Sequence, residues 1–151
     1  MYEVEKFQKT AVELFENGYS CSEALIKAAY ECNVLEKESD ISVLTQIASP
    51  FGGGAVSNGC ICGALAGAQL IIGCLIGRND LDCPNDKILN VSRALVDGFK
   101  QKGHITCCRA SVPGFCESHE ERMHKCSKTI CDVIELLEKD LLSNIKAKQQ
   151  V

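Results

Sequence analysis

Apolar side chains recur every three or four positions along most of the chain, the spacing that is typical of amphipathic helices. The pattern predicts a first helix over residues 4–16, another that starts near Pro84 and ends before Gly103, and a last helix over about 126–144. No segment of useful length shows the alternation of apolar and polar residues that would indicate a strand. We therefore expect an all-α fold.

Local start and stop signals predict two more helices. Ser20 and Glu23 have the spacing of a capping box, so we expect a helix to begin at Cys21 and to end near Cys32. Asp40 is the expected N-cap of a further short helix. Because 151 residues are a usual length for one domain, residues 1–151 are predicted to form a single compact helical domain of about five or six helices.

The most apolar segment, residues 60–77, reads CICGALAGAQLIIGCLIG. Eighteen residues approach the length of a membrane span. Four glycines and the absence of flanking aromatic anchors instead favour a glycine- and alanine-rich central helix that is buried on all sides, with no membrane contact. Gly63 and Gly67 begin a stripe of small residues that would let another helix approach, either in the core or between the subunits of a homodimer.

Cysteine is the unusual component, with eleven residues in the chain. A domain of this size needs no disulfide scaffold, and the N-terminus shows no secretory signal, so we expect a cytoplasmic protein with reduced thiols. The odd number also excludes complete intramolecular pairing. A net charge of −4 without any basic cluster argues against nucleic acid as a partner.

The positions of the cysteines suggest which of them carry chemistry. Four lie where a helix is predicted to start, at Cys21, Cys60, Cys62 and Cys126. Unpaired N–H groups and the positive end of the helix dipole favour a thiolate there. Cys107 and Cys108 adjoin Arg109, whose charge lowers the pKa of a neighbouring thiol. Cys116 and His119 have a Cys-x-x-His spacing, which alone is a weak signal for zinc.

The remaining cysteines look structural or stay unassigned. Cys32 and Cys74 lie among apolar neighbours, where a free cysteine behaves as a small hydrophobic residue. Cys83 and Cys131 carry no clear signal. No C-x-x-C pair occurs, which argues against a thioredoxin motif and a zinc ribbon, and no phosphate-binding or dinucleotide-binding loop is present.

Four motifs occur in an order that resembles a known family. They are Gly18-Tyr19-Ser20-Cys21-Ser22-Glu23-Ala24, Phe51-Gly52-Gly53-Gly54 with Cys62-Gly63-Ala64-Leu65-Ala66-Gly67, Cys108-Arg109 and Lys125-Cys126. From about Leu14 to Leu142 the chain resembles the redox-active proteins that are named for the pattern C_GCAxxG_C_C. The resemblance implies a small helical domain with four shared cysteines.

The resemblance also implies a cofactor. A related domain in split-Soret cytochromes has been proposed to hold an iron–sulfur centre. This makes the four shared cysteines the expected cofactor and metal ligands, at Cys21, Cys62, Cys108 and Cys126. The expected centre is of the [2Fe–2S] type and transfers electrons to a partner protein, because such proteins tend to be encoded beside oxidoreductases or transporters. Cys60, Cys107 and Cys116 lie near family positions, so either member of each close pair could be the ligand.

Two other functions stay open at this point. The chain could be a metal-free thiol–disulfide protein that pairs Cys62 with Cys21 or Cys108, or a structural zinc protein. Burying four thiolates without compensation is costly, and either a metal or disulfide bonds would remove that cost.

Overall fold

The chain folds into helices joined by short loops. The computed structural model describes residues 3–55, 59–111 and 119–142. The helices are α1 (Val4–Glu16), α2 (Cys21–Glu31), α3 (Ile41–Ala48), α4 (Gly52–Ala55), α5 (Gly63–Ile76), α6 (Asp86–Gln101), α7 (Cys108–Ser111) and α8 (His119–Leu137). A 3₁₀ turn, Ser49–Phe51, precedes α4, and a π-helical turn, Glu138–Leu142, continues α8. Since the described ranges contain no strand, the all-α prediction is confirmed.

The predicted helix boundaries are correct in the first third of the chain. The Ser20 side chain accepts a hydrogen bond from the Glu23 amide, and the Glu23 carboxylate accepts one from the Ser20 amide at 2.8 Å, which completes the capping box of α2. Asn33 ends the same helix in the left-handed region, at φ 59°. Asp40 caps α3 by accepting from the Val43 amide at 3.1 Å. The capping box therefore places Cys21 at the first position of α2.

The buried, central position of α5 is confirmed as far as Ile72, which like Ile71 is fully buried. Gly63 through Ala68 are buried there, and α5 packs most extensively against α2, with further contacts to α6 and α8. Gly73 and Cys74 near its end are exposed. The expectation that α5 is buried on all sides is therefore wrong, and so is the packing role predicted for Cys74. Around Gly73, no atom from outside the helix lies within 4 Å of the position that a Cβ would occupy. No helix among the described residues is long and apolar enough to cross a membrane.

The small-residue stripe of α5 is used within the chain. A Cβ on Gly67 would lie 3.1 Å from Ser22 Cα and 3.2 Å from the Ser22 carbonyl oxygen, so the backbones of α2 and α5 are close here. Ser22 is fully buried, and its hydroxyl donates to the Ala48 carbonyl at 2.8 Å, which joins α3 to the pair. Because α2 covers the stripe, the predicted homodimer loses that support and stays a prediction.

The last helix begins earlier than its apolar spacing predicts. The chain is already helical at His119, so Cys126 lies two turns inside α8 and the prediction that it opens the helix is wrong. Residues 119–125 are polar apart from Met123 and lack apolar periodicity, but they include strong helix formers. Glu120 and Glu121 in the first turn also suit the positive end of the dipole. The predicted end near residue 144 lies outside the described residues.

The segment that leads to α7 is anchored by a polar cluster on α8. The Lys102 ammonium contacts Asp132 at 3.2 Å and Glu135 at 2.8 Å, and His104 Nε2 lies 2.7 Å from Asp132 Oδ2. The His104 ring also packs on Phe99, with 4.8 Å between ring centroids. These contacts hold the start of the segment that leads to Cys108 against α8.

Two glycine substitutions in α5 test the close approach of the helices. Gly67→Ala should lower the free energy of unfolding by about 1–3 kcal/mol, because the new methyl group meets backbone atoms of Ser22 that cannot rotate away. Gly73→Ala is the matched control in the same helix. It should raise stability by about 0.5–1 kcal/mol, because open space surrounds it and alanine favours the helix. Urea unfolding of both variants gives the comparison, and equal effects would contradict the packing described.

Candidate metal centre

Four cysteines from four separate parts of the fold meet at one small cavity. The cavity has a volume of about 20 Å³ and is lined by Cys21, Cys62, Gly63, Ala64, Cys108, Ser111, Lys125, Cys126 and Thr129. Its cysteines are supplied by the start of α2, the N-cap of α5, the start of α7 and the third turn of α8. The structure therefore brings together all four residues that the family resemblance singled out.

Gly63, the first residue of α5, leaves room for Cys21 because it has no side chain. A Cβ on Gly63 would overlap Cys21 Sγ and would also lie 2.8 Å from the Phe51 carbonyl oxygen. Gly53 turns the preceding segment through the left-handed region, at φ 66°, and its backbone N–H donates to the Cys21 sulfur. The glycine in the Cys-Gly-Ala motif thus makes room for a sulfur from another helix.

A strained turn separates the two cysteines that precede α5. Ile61 has φ 60°, a conformation that β-branched residues rarely adopt. Cys62, after this turn, lines the cavity, and its sulfur accepts hydrogen bonds from the backbone N–H groups of Ala64 and Leu65. Cys60, before it, is exposed and lies outside the cavity lining. Of this pair, only Cys62 can contribute to the site as described.

Of the neighbouring Cys107 and Cys108, likewise only one lines the cavity. Cys108 is 7% exposed and lines the cavity. A Cβ on Gly54 would lie 2.7 Å from Cys108 Cβ, so the glycine-rich turn also makes room for this residue. The Cys107 thiol instead donates to the Gly59 carbonyl at 2.9 Å, away from the cavity. The third candidate, Cys116, lies outside the described residues, so its predicted pairing with His119 stays a prediction.

Arg122 supports the last cysteine and was missed by the sequence analysis. Its side chain hydrogen-bonds Cys126, and its charge offsets part of the rise that burial causes in the pKa of Cys126 and of Cys108. Arg122 and Cys126 are four positions apart on α8, which places them on the same helix face. The i,i+4 spacing could have revealed the pair if the helix had been predicted to start before residue 122.

Burial raises the pKa of all four cavity thiols, and it is the largest cause in each case. The pKa of Cys21 reaches about 12, with further increases from the charges of Cys62, Cys126 and Cys108. The pKa values of Cys62, Cys108 and Cys126 are raised as well. The expectation that these positions favour thiolates is therefore wrong for the isolated chain, because desolvation and mutual repulsion outweigh the backbone donors.

Cys107 behaves in the opposite way. Hydrogen bonds from the backbone N–H groups of Ala110 and Arg109 lower its pKa, with smaller contributions from the Cys60 side chain and the Arg109 charge. The predicted effect of Arg109 therefore falls on Cys107, whereas burial dominates at Cys108. Cys32 takes the packing role predicted for it: it is 2% exposed, and its thiol contacts Thr10 Oγ1 at 3.6 Å.

The four cysteine side chains are chemically suited to a metal, but they are not arranged around an ion site. Four cysteines are the ligands of both iron–sulfur clusters and structural zinc. Within residues 3–55, 59–111 and 119–142, no group of three or more His, Cys, Asp or Glu side chains is arranged to hold an ion. A cavity of about 20 Å³ has room for one water-sized body. A two-iron cluster needs more room than this, so the four sulfurs would have to move apart to hold one.

A larger cleft opens onto the same cysteines from outside. It has a volume of about 440 Å³ and is lined by Phe15, Glu16, Gly18, Tyr19, Ser20, Cys21, Glu23, Gly53, Cys108, His119, Arg122, Met123 and Cys126. Three of the four cavity cysteines belong to both linings. These three cysteines therefore lie between the small cavity and a surface cleft that is large enough for a small molecule.

Comparison with known proteins matches the chain to a protein family. The model of the family described as "Putative redox-active protein (C_GCAxxG_C_C)" matches residues 19–139 of the 151, a range that includes all four cavity cysteines. No curated protein and no solved structure matches the chain.

The different environments of the cysteines predict an order of alkylation. In reduced, metal-free protein at about pH 8, iodoacetamide should modify Cys107 early and Cys21 last. A rise in pKa from 9.0 to about 12 lowers the thiolate fraction of Cys21 near neutral pH by about a thousandfold. Peptide mass spectrometry over time measures the order. Early modification of Cys21 would show that the four thiols do not form a buried group.

The raised pKa of Cys21 also predicts a loss of stability in alkaline solution. Below about pH 9 the thiol is protonated in both states, so its contribution to stability is complete. Between about pH 9 and pH 12 the unfolded chain loses the proton while the folded chain keeps it, so the free energy of unfolding falls as pH rises. Urea unfolding of metal-free protein should show this fall, and Cys21→Ser should reduce its slope. An unchanged slope in the variant would contradict the assignment.

Proposed function

The chain belongs to the C_GCAxxG_C_C family of redox-active proteins, and on that premise we propose that it transfers electrons through an iron–sulfur centre. The proposed ligands are Cys21, Cys62, Cys108 and Cys126. The observation that carries this proposal is the convergence of these four buried or half-buried thiols from four separate elements on one cavity. We propose a [2Fe–2S] centre, as the family resemblance implies.

The electrostatics of the four thiols support a metal over disulfide exchange among them. The thiolate is the attacking species in exchange, and the raised pKa values leave little of it near neutral pH. A metal cation would offset the repulsion between the sulfurs and displace their protons, so that the burial that opposes free thiolates would be compensated. Disulfide exchange within the site is thus the weaker alternative.

Redox activity favours iron over zinc. Zinc has no redox chemistry of its own and would leave the site purely structural. Four cysteines around a space for a single ion also suit structural zinc, so zinc is the second candidate. The family description, which names redox activity, makes iron the first candidate.

The residues around the sulfurs would hold and tune the centre. An iron–sulfur centre supplies a one-electron couple, whose potential depends on hydrogen bonds to the ligand sulfurs and on solvent exposure. The Gly53 N–H donates to Cys21, the Ala64 N–H to Cys62, and the Arg122 side chain to Cys126. The cleft beside Tyr19 and Met123 provides the surface where an electron-transfer partner would approach.

Anaerobic purification and reconstitution with iron and sulfide test the proposal. We expect a coloured protein with charge-transfer absorption and iron and sulfide in equal amounts, two of each per chain. Replacing any one of the four cavity cysteines with serine should remove the colour or most of the iron. Cys74→Ser is the matched control, since Cys74 is exposed and far from the cavity lining, and it should keep the full iron content.

The same measurements identify the competing functions. Colourless protein that holds one zinc per chain would replace the iron proposal with the structural one. Protein that holds neither metal after reconstitution would overturn both metal proposals. Iron content that is unchanged in all four cavity variants would show that the centre lies elsewhere.

A further inference from the structure

Two cysteines outside the four-cysteine cavity lie on neighbouring segments near the surface. Cys107 Sγ lies 2.9 Å from the carbonyl oxygen of Gly59, the residue before Cys60, and the Cys60 side chain contributes to the lowered pKa of Cys107. Neither residue lines the cavity, and neither is in a disulfide bond. Cys60 is exposed and Cys107 is half-buried, so the pair can be reached from solvent.

The backbone holds this pair in register. The Cys62 amide donates to the Thr106 carbonyl at 2.6 Å, and the Arg109 amide donates to the Gly59 carbonyl at 2.7 Å. These two hydrogen bonds bind the segment before α5 to the segment before α7 on both sides of the thiols. Because the two main chains are fixed side by side, the backbone sets the positions of the two thiols.

Two further features distinguish the pair from packing residues. The left-handed turn at Ile61 separates exposed Cys60 from inward Cys62, and such a turn is retained only where the surrounding structure compensates its strain. Ile61 and Ile105, which flank the two segments, are themselves 51% and 49% exposed. Neither thiol belongs to the hydrophobic core, and each lies within two residues of an exposed isoleucine.

We propose that Cys60 and Cys107 form a second redox site, an exposed dithiol that exchanges electrons with a disulfide substrate. The exposed Cys60 thiolate attacks one sulfur of the substrate disulfide, which breaks that bond and releases one substrate thiol. Cys107 then attacks the Cys60 sulfur of the mixed disulfide, forms the Cys60–Cys107 bond and releases the second thiol. The protein loses two electrons and two protons, and the substrate disulfide gains both.

The proposal stands apart from the iron–sulfur proposal, because it needs neither a metal nor the four cavity cysteines. Oxidation would also bind the loop of Cys62 covalently to the loop of Cys108. The second redox site would therefore hold two cavity cysteines at a fixed separation whenever it is oxidised.

Anaerobic titration of the full chain with oxidised glutathione tests the second redox site. Wild-type protein should lose two thiols, with no glutathione retained, and should yield a disulfide between the tryptic peptides that contain residues 38–78 and 103–109. Cys107→Ser should stop at the mixed disulfide and keep one glutathione on Cys60. Cys60→Ser should form no disulfide between the two peptides. Cys74→Ser, which lacks an exposed thiol of the first peptide, should behave as wild type.

Two results would overturn the proposal. One is a disulfide between the same peptides that persists in both Cys60→Ser and Cys107→Ser, which would assign the reaction to Cys62 and Cys108. The other is wild-type protein that keeps all its thiols under an excess of oxidised glutathione. Far-ultraviolet circular dichroism confirms that each variant is folded. Iron content is measured separately, so a failure of the dithiol and a failure of the metal centre remain distinct.

Discussion

The contact of α2 with the glycine face of α5 is the constraint on which the site depends. Gly67 lets the backbone of Ser22 approach, and one turn earlier Gly63 leaves the space that the Cys21 sulfur occupies. A side chain at either position would separate the two helices. The glycines of the central motif are therefore not a flexible element. They are the reason that a sulfur from the N-terminal half can lie against the start of the central helix.

The same close packing determines the chemistry of the cysteines. Four thiols that share a cavity of about 20 Å³ cannot all ionise, because each charge is desolvated and repelled by the others. At the neighbouring Cys107, backbone donors outweigh the desolvation, and the pKa shifts in the opposite direction. Adjacent positions in the sequence thus have opposite properties, and the fold separates a buried group that suits a cation from an exposed pair that suits exchange.

Much of the fold could be predicted because it depends on local signals. The capping box at Ser20, the N-cap at Asp40 and the apolar stripe of α8 each act within a few residues. The start of α8 could not be predicted in this way, because a polar helical turn leaves no hydrophobic pattern. The resemblance supplied the four cysteines, but the choice of Cys62 over Cys60 needed the turn at Ile61. The direction of the pKa shifts needed the burial, which is a tertiary property.

The cavity also has a consequence for the order in which the molecule matures. Its cysteines are spread from residue 21 to residue 126, and no two of them belong to one helix. Contacts at such long sequence separation form late, because closing the intervening loops costs entropy before any contact is gained. A nascent chain that has not yet released α8 from the ribosome has at most three of the four sulfurs in place. Any group that needs all four can therefore be inserted only after synthesis of α8, which makes occupancy of the cavity a late event in the biogenesis of the protein.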